Sequence, residues 1–213
     1  MNMTETNSQH DVKEAVRDAV NSGLDVYQQV KAITLKALTN RQLSISNITQ
    51  VADAVVHGIN DGIGPQGEQA RERFGQAASA LDDALSVAAE ASKLAIQEAS
   101  SKMNDFSESD LNQATEDLKT MESLFFETLG KIARGGNHMM AEIGSDFIDH
   151  AQRSGTAVGK QVVNALDALK ELPAQGTGTL VSGAATVTSV LAQMGSGILA
   201  GIAESLQTSQ TKK

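Results

Sequence analysis

Four ionisable residues at a regular spacing are the first place to look for chemistry. His138, Glu142, Asp146 and His150 stand four residues apart, with Asp149 beside the last. Imidazoles and carboxylates bind metals and move protons, so metal-assisted or acid–base chemistry is the class to test. Four residues of helix advance about 400°, so the stripe drifts by about 40° per step and cannot aim all four groups at one ion. A di-iron bundle needs Glu-x-x-His repeats, and no histidine in the chain has Glu or Asp three positions before it. HExxH is absent as well. The stripe therefore reads as a solvated face of i,i+4 charges, and Asp53 with His57 reads the same way.

Other motifs end similarly. Gly62-Ile63-Gly64-Pro65-Gln66-Gly67 spells GxGxxG, with Asp82 and Asp83 near the distance at which a ribose-binding acid would lie. The dinucleotide fingerprint needs a strand before it and a helix after it. A helical pattern precedes it here, so it reads as an interhelix turn. No serine sits in a G-x-S-x-G elbow, and Gly130-Lys131 lacks the glycine run of a phosphate loop. Phe125-Phe126 reads as core. No catalytic, cofactor-binding or metal-ligating residue is assigned, and the chain is expected not to be an enzyme.

The elements that would position any such groups are helical throughout. Residues 1–9 are polar and expected to be disordered. Val12, Val16, Ala19, Gly23, Tyr27, Val30, Thr34 and Ala37 then share one helical face, with a break or bend expected near Ser22-Gly23 because glycine costs about 1 kcal/mol in a helix interior. Asn40 suits a C-terminal stop, and Ser44 or Ser46 suits the next N-cap. Ile48, Val51, Val55, Ile59 and Ile63 form the following buried face. A short connection predicts an antiparallel hairpin over 10–64.

Residues 65–172 read as long Ala-rich helices. Ala70, Phe74, Ala77, Leu81, Ala84, Ala88, Ala91 and Ala95 alternate threes and fours along the longest of them. Alanine permits close helix approach but supplies little area per contact, so such a helix needs several neighbours. Leu111 to Ile132 and Met140 to Leu169 carry two more apolar stripes, the second with a weak point at Ser154-Gly155-Thr156. The expected fold is all-α: an elongated, coiled-coil-like bundle of about six amphipathic helices with no sheet.

Composition closes off several classes. The 213 residues carry a net charge of −9 with basic and acidic residues interspersed, so no surface is set up to attract a phosphate backbone. Cysteine is absent, which removes disulfides and thiol chemistry. The N-terminus has neither a basic nor an apolar signal region, and a cytoplasmic location is expected.

The longest run without a formal charge, Leu172 to Ala203, is the distinctive segment. Behind Pro173 and Gln175-Gly176-Thr177-Gly178, residues 173–206 read as one uncharged apolar helix, followed by a polar tail at 207–213. Leu180, Ala184, Val187, Leu191, Met194, Ile198 and Ile202 recur at helical spacing, opposite Ser182, Thr186, Ser189, Gln193 and Ser196. Gly197 and Gly201 form a GxxxG pair suited to close helix packing. Three roles fit: a buried bundle helix, a membrane span, or a face that adsorbs to an apolar surface or to a second copy. The contact face under the last role is Leu180, Val187, Leu191, Met194, Ile198 and Ile202.

Ala-rich heptads over Glu68 to Ala133 and His138 to Leu206, few aromatics, no Cys or Trp and an acidic balance give the chain a composition that resembles the phasins. The Ala/Pro/Lys-rich tail seen on many phasins is absent. The resemblance implies a non-catalytic, self-associating protein that coats polyester storage granules, without a cofactor and peripheral on a granule or membrane surface. Its alternatives are a soluble homo-oligomeric scaffold and a membrane-interacting protein that uses the C-terminal helix.

Overall fold

The computed structural model describes residues 3–63, 67–101, 108–135, 138–170 and 184–210. Among these there are eight helices and no strand: α1 Met3–Ser22, α2 Val26–Thr39, α3 Ile45–Gly62, α4 Gly67–Ser101, α5 Glu108–Gly135, α6 His138–Ser154, α7 Ala157–Lys170 and α8 Ala184–Gln210. The all-α bundle is as expected, but the helices exceed six because glycine splits two segments that read as continuous. Helix α1 also begins at Met3, so the polar end at 3–9 is helical rather than disordered, and α8 runs on to Gln210, into the polar tail.

The first split lies between α1 and α2. Gly23 and Asp25 both have left-handed backbone, at φ 68° and 43°. Arg73 seals the break by donating from Nη1 to the carbonyls of Val20 and Asn21 at 3.3 and 3.1 Å. Both carbonyls belong to the last turn of α1, which lacks i+4 donors, and that of Val20 also accepts from the Gly23 N–H at 3.3 Å. Any side chain at Gly23 would collide with that guanidinium.

The chain then runs up, down and up, so the expected two-helix hairpin is a three-helix unit. Helix α2 ends at Asn40, whose N–H bonds to the Lys36 carbonyl, and Ser44 caps α3 by accepting from the Asn47 N–H at 3.3 Å. Helices α1 and α3 lie parallel: Gln9 bonds Gln50, Lys13 pairs with Asp61, and Val20 meets Gly62. Gly58 and Gly62 permit this approach. A Cβ on either would sit 2.5 Å from a backbone carbonyl oxygen of α1, that of Lys13 or of Arg17. This is a close-packing GxxxG pair, and its second member, Gly62, is also the first residue of the run that reads as a turn.

Helix α4 is the axis of the bundle and touches every other helix. Ala77, Ala78, Ala80, Ala84, Ala88, Ala89 and Ala91 are all buried, with Phe74 and Leu81 fully enclosed. Short side chains let many neighbours reach one backbone, which is why the Ala-rich helix is central. Phe74 adds an edge-on contact to Phe147 of α6 at 5.7 Å. Phe125 is fully buried beside Phe126.

The second split lies between α6 and α7, where Gly155 has φ 78°. Thr156 caps α7 by accepting from the Gly159 N–H at 2.9 Å. Asp82 of α4 accepts the two preceding orphan donors, Ala157 N–H at 2.7 Å and Val158 N–H at 2.9 Å. The Thr156 hydroxyl in turn donates to Glu122 of α5 at 2.7 Å. The weak point in the sequence thus becomes a helix start held by carboxylates from two other helices.

Candidate functional site: the seat of the C-terminal helix

The ionisable constellations resolve into structural pairs. His138, Glu142, Asp146, Asp149 and His150 are all exposed on α6. Arg71 of α4 reaches across to Asp146 at 2.6 Å and Glu142 at 3.7 Å. Among the described residues no three His, Asp or Glu side chains are grouped to hold a metal. Asp53 pairs with Lys131 at 2.6 Å, tying α3 to α5, while the His57 ring bonds the Asp53 carbonyl. Of the GxGxxG run, Gly62 ends α3 and Gly67 begins α4, and residues 64–66 lie outside the described residues.

The two acids that lie beyond that run work inside the bundle. Asp83 accepts from the Tyr27 hydroxyl and pairs with Lys31 at 3.4 Å. Asp82 caps α7, and burial pushes its pKa above 3.8, against the opposing pull of the two backbone N–H groups. The nearby Asp83 and Glu122 charges push the same way as burial. None of these groups converges on a cleft with a nucleophile and an oxyanion donor, the arrangement that acyl or phosphoryl transfer requires.

What distinguishes the molecule is the seat of α8. Among the residues of this helix whose side chains are described, Leu191, Ala192, Gly195, Leu199 and Ala203 are buried, on a helix that packs against α4, α2 and α5. Met194, Ile198 and Ile202 are half-buried at the margin. Leu180 and the side chain of Val187 lie outside the described residues. The expected stripe is therefore displaced by one residue, about 100° of helix, with Leu191 common to both faces. A stripe chosen for large apolar side chains points to Ile198 and Ile202. Approach to the alanine surface of α4 instead selects Gly195, Leu199 and Ala203, because small residues let the helix axes come closer.

Gly195 fixes one end of the seat. A Cβ at this position would lie 3.1 Å from Leu43 Cδ2 and 3.3 Å from Leu43 Cβ. At the same point the Leu43 N–H donates to the Ala192 carbonyl at 2.9 Å, a backbone bond from the α2–α3 connection to the middle of α8. The Ser196 hydroxyl donates to that same carbonyl at 2.7 Å. Sequence reasoning placed the close contact at Gly197 and Gly201. Both are exposed, and a Cβ on either would meet nothing within 4 Å. Within this chain they bring no helix closer.

The outer face of α8 is uncharged through Ala203. Val190, Gln193, Gly197, Ala200 and Gly201 are exposed along it, and the first charge is Glu204. Among the described residues no helix is long and apolar enough to cross a membrane.

Fold and seat together define a class: a helical bundle around an Ala-rich axial helix, with an uncharged terminal helix docked on its side. The chain belongs to a family of unknown function, DUF6781, whose match covers residues 2–208 and so includes nearly all of α8. No curated protein and no solved structure matches it.

Proposed function

We propose that this protein is a non-catalytic, self-associating helical protein that coats an apolar surface in the manner of phasins, with α8 as the contact element. The observation that carries this reading is the two-sidedness of α8. Leu191 and Leu199 are turned into the bundle, Met194, Ile198 and Ile202 lie half-buried at its margin, and the outer face carries no charge from Val190 to Ala203. A helix with those two faces exchanges one apolar partner for another at little net cost in apolar exposure. The seam it leaves is rich in alanine and glycine, so parting it uncovers little apolar area per residue. Adsorption by this route places Leu191, Met194, Ile198 and Ile202 on the foreign surface.

A lock on α8 tests the reading directly. The chain has no cysteine, and the Gly195 and Leu43 Cβ positions lie 3.3 Å apart, close to the separation that a disulfide bridges. Full-length protein carrying Leu43→Cys and Gly195→Cys is mixed with polyester particles and, in parallel, with lipid vesicles, then sedimented or floated. Binding in the reduced form and its loss on oxidation support release of α8 onto the surface. Equal binding by the oxidised form would remove α8 as the contact. Binding to vesicles alone would move the role to membranes.

A specific observation favours a second reading, a homo-oligomeric scaffold. Gly197, Ala200 and Gly201 offer a flat, uncharged strip on a protein that otherwise repels its own copies through a net charge of −9. Under this reading Gly197→Glu with Gly201→Glu converts an oligomer to monomer in sedimentation velocity, and neither particle nor vesicle binds.

A further inference from the structure

Beneath α8 three helices present small side chains to one another: Ala95 from α4, Ala114 from α5, and Ala192 with Gly195 from α8. The pincer between Leu43 and Gly195 holds α8 at a fixed height beside this point, so the seam cannot collapse onto itself. It leaves a half-open slot of about 50 Å³. That exceeds the roughly 10–15 Å³ needed by one water and falls far below the roughly 300–1,000 Å³ of a drug- or cofactor-sized site. The walls are mostly aliphatic, joined by Ser44, whose hydroxyl accepts from the Asn47 N–H, and Ser92, whose hydroxyl donates to the Ala88 carbonyl; among the described residues the charged group lining the slot is Asp117. Its carboxylate accepts from Gln113 Nε2 at 2.8 Å, and a carboxylate has the capacity to accept further bonds.

We infer that this slot binds the end of one unbranched alkyl chain whose head group donates a hydrogen bond to Asp117. The volume admits only a few methylene groups, and the mostly aliphatic walls favour their transfer from water. The Asp117 carboxylate only accepts, so a head group that bonds to it is a donor, either a hydroxyl or an ammonium. It also repels a fatty-acid head, as does the net charge of −9. Because α8 forms one wall, an occupied slot holds α8 in its seat. The inference concerns the docked state and stands whether or not α8 meets a surface.

The test uses full-length protein with ¹³C-labelled Ala and Met methyl groups, titrated separately with hexanol, hexylamine and hexanoate. Met121 lines the slot with Ala95, Ala114 and Ala192, so these four methyls report on it. Saturable shifts confined to them are expected with hexanol and hexylamine, with at least tenfold weaker binding of hexanoate. Asp117→Asn is expected to bring hexanoate to within a few-fold of hexanol. Ala95→Leu, or Ala114→Met at a half-buried position if the first fails to fold, fills the slot and abolishes the shifts. Equal binding of hexanoate by the unaltered chain would overturn the inference. So would shifts that survive filling, or shifts that spread over the whole bundle without saturating.

Discussion

Helices α4 and α8 are the two alanine- and glycine-rich helices of this molecule, and they invert a common expectation about charge. From Ala80 to Gln97 no residue of α4 is exposed, yet that span carries Asp82, Asp83, Glu90 and Lys93. Each has a partner: Asp82 the α7 N–H groups, Asp83 Tyr27 and Lys31, Glu90 both Lys93 and Gln161. Helix α8 has no charge before Glu204, yet one side of it faces solvent. Absence of charge thus marks neither the centre nor the most buried helix. A central helix tolerates charge where neighbours supply hydrogen bonds, whereas a peripheral uncharged helix keeps two faces that can each meet an apolar partner.

The sharpest way to break this contrast is to remove one fully buried leucine from each helix. Leu81 of α4 and Leu199 of α8 are both 0% exposed. Leu81→Ala leaves a cavity among many neighbours and is expected to lower global stability by about 3–5 kcal/mol, read as a lower urea midpoint by circular dichroism. Leu199→Ala is expected to cost about 2–3 kcal/mol, confined to α8. Hydrogen exchange should then show reduced protection in α8 with α1 to α5 unchanged. A uniform reduction across the bundle would make α8 an integral helix and weaken the release it is proposed to undergo.

The charges of α4 provide a smaller and more specific effect. Asp82→Ala strips two N-terminal donors of α7 and is expected to cost about 1–2 kcal/mol. The pH dependence has a definite sign. The folded-state pKa lies above the ordinary 3.8, so the native state binds the proton more readily than the unfolded chain does. This group's contribution is fully present below 3.8 and is lost as pH rises through the folded pKa. Thermal midpoints measured across that window should show the stability gap between native protein and Asp82→Ala widening as the pH falls. A constant gap would mean that burial of this carboxylate has no energetic consequence.

The smallest effect concerns the glycines of α8. Gly197→Ala places a methyl in open space and is expected to stabilise by about 0.5–1 kcal/mol through helix propensity alone. Gly195→Ala gains the same propensity but forfeits it against Leu43, so its thermal midpoint should fall below that of Gly197→Ala. If the order were reversed, the pincer at Leu43 would not be what sets the height of α8.

Much of the local structure was legible in the residues. Asn40 and Ser44 mark a helix stop and start because capping chemistry acts within a few residues. Gly23 and Gly155 lie at the weak points expected of them, and each is a complete break between two helices. Their severity depended on Arg73, Asp82 and Glu122, which lie distant in sequence and supply the hydrogen bonds that make two helix ends cheaper than one strained continuation. Gly58 and Gly62 were not expected as a packing pair. The GxxxG signal was present in the sequence, but the glycine-rich turn that follows shares Gly62 and masks it.

By itself, the sequence determined an all-helical chain, through 3.6-residue periodicity, scarce proline and local caps, all of which are short-range properties. It also determined that α8 is uncharged until its last turns. Only the tertiary structure decided which face of α8 is inward, which helix is central, and whether Gly195 or Gly197 is the close contact. Those choices depend on how near two backbones can come, and that distance is set jointly by small residues on separate helices. No periodicity along one helix encodes it.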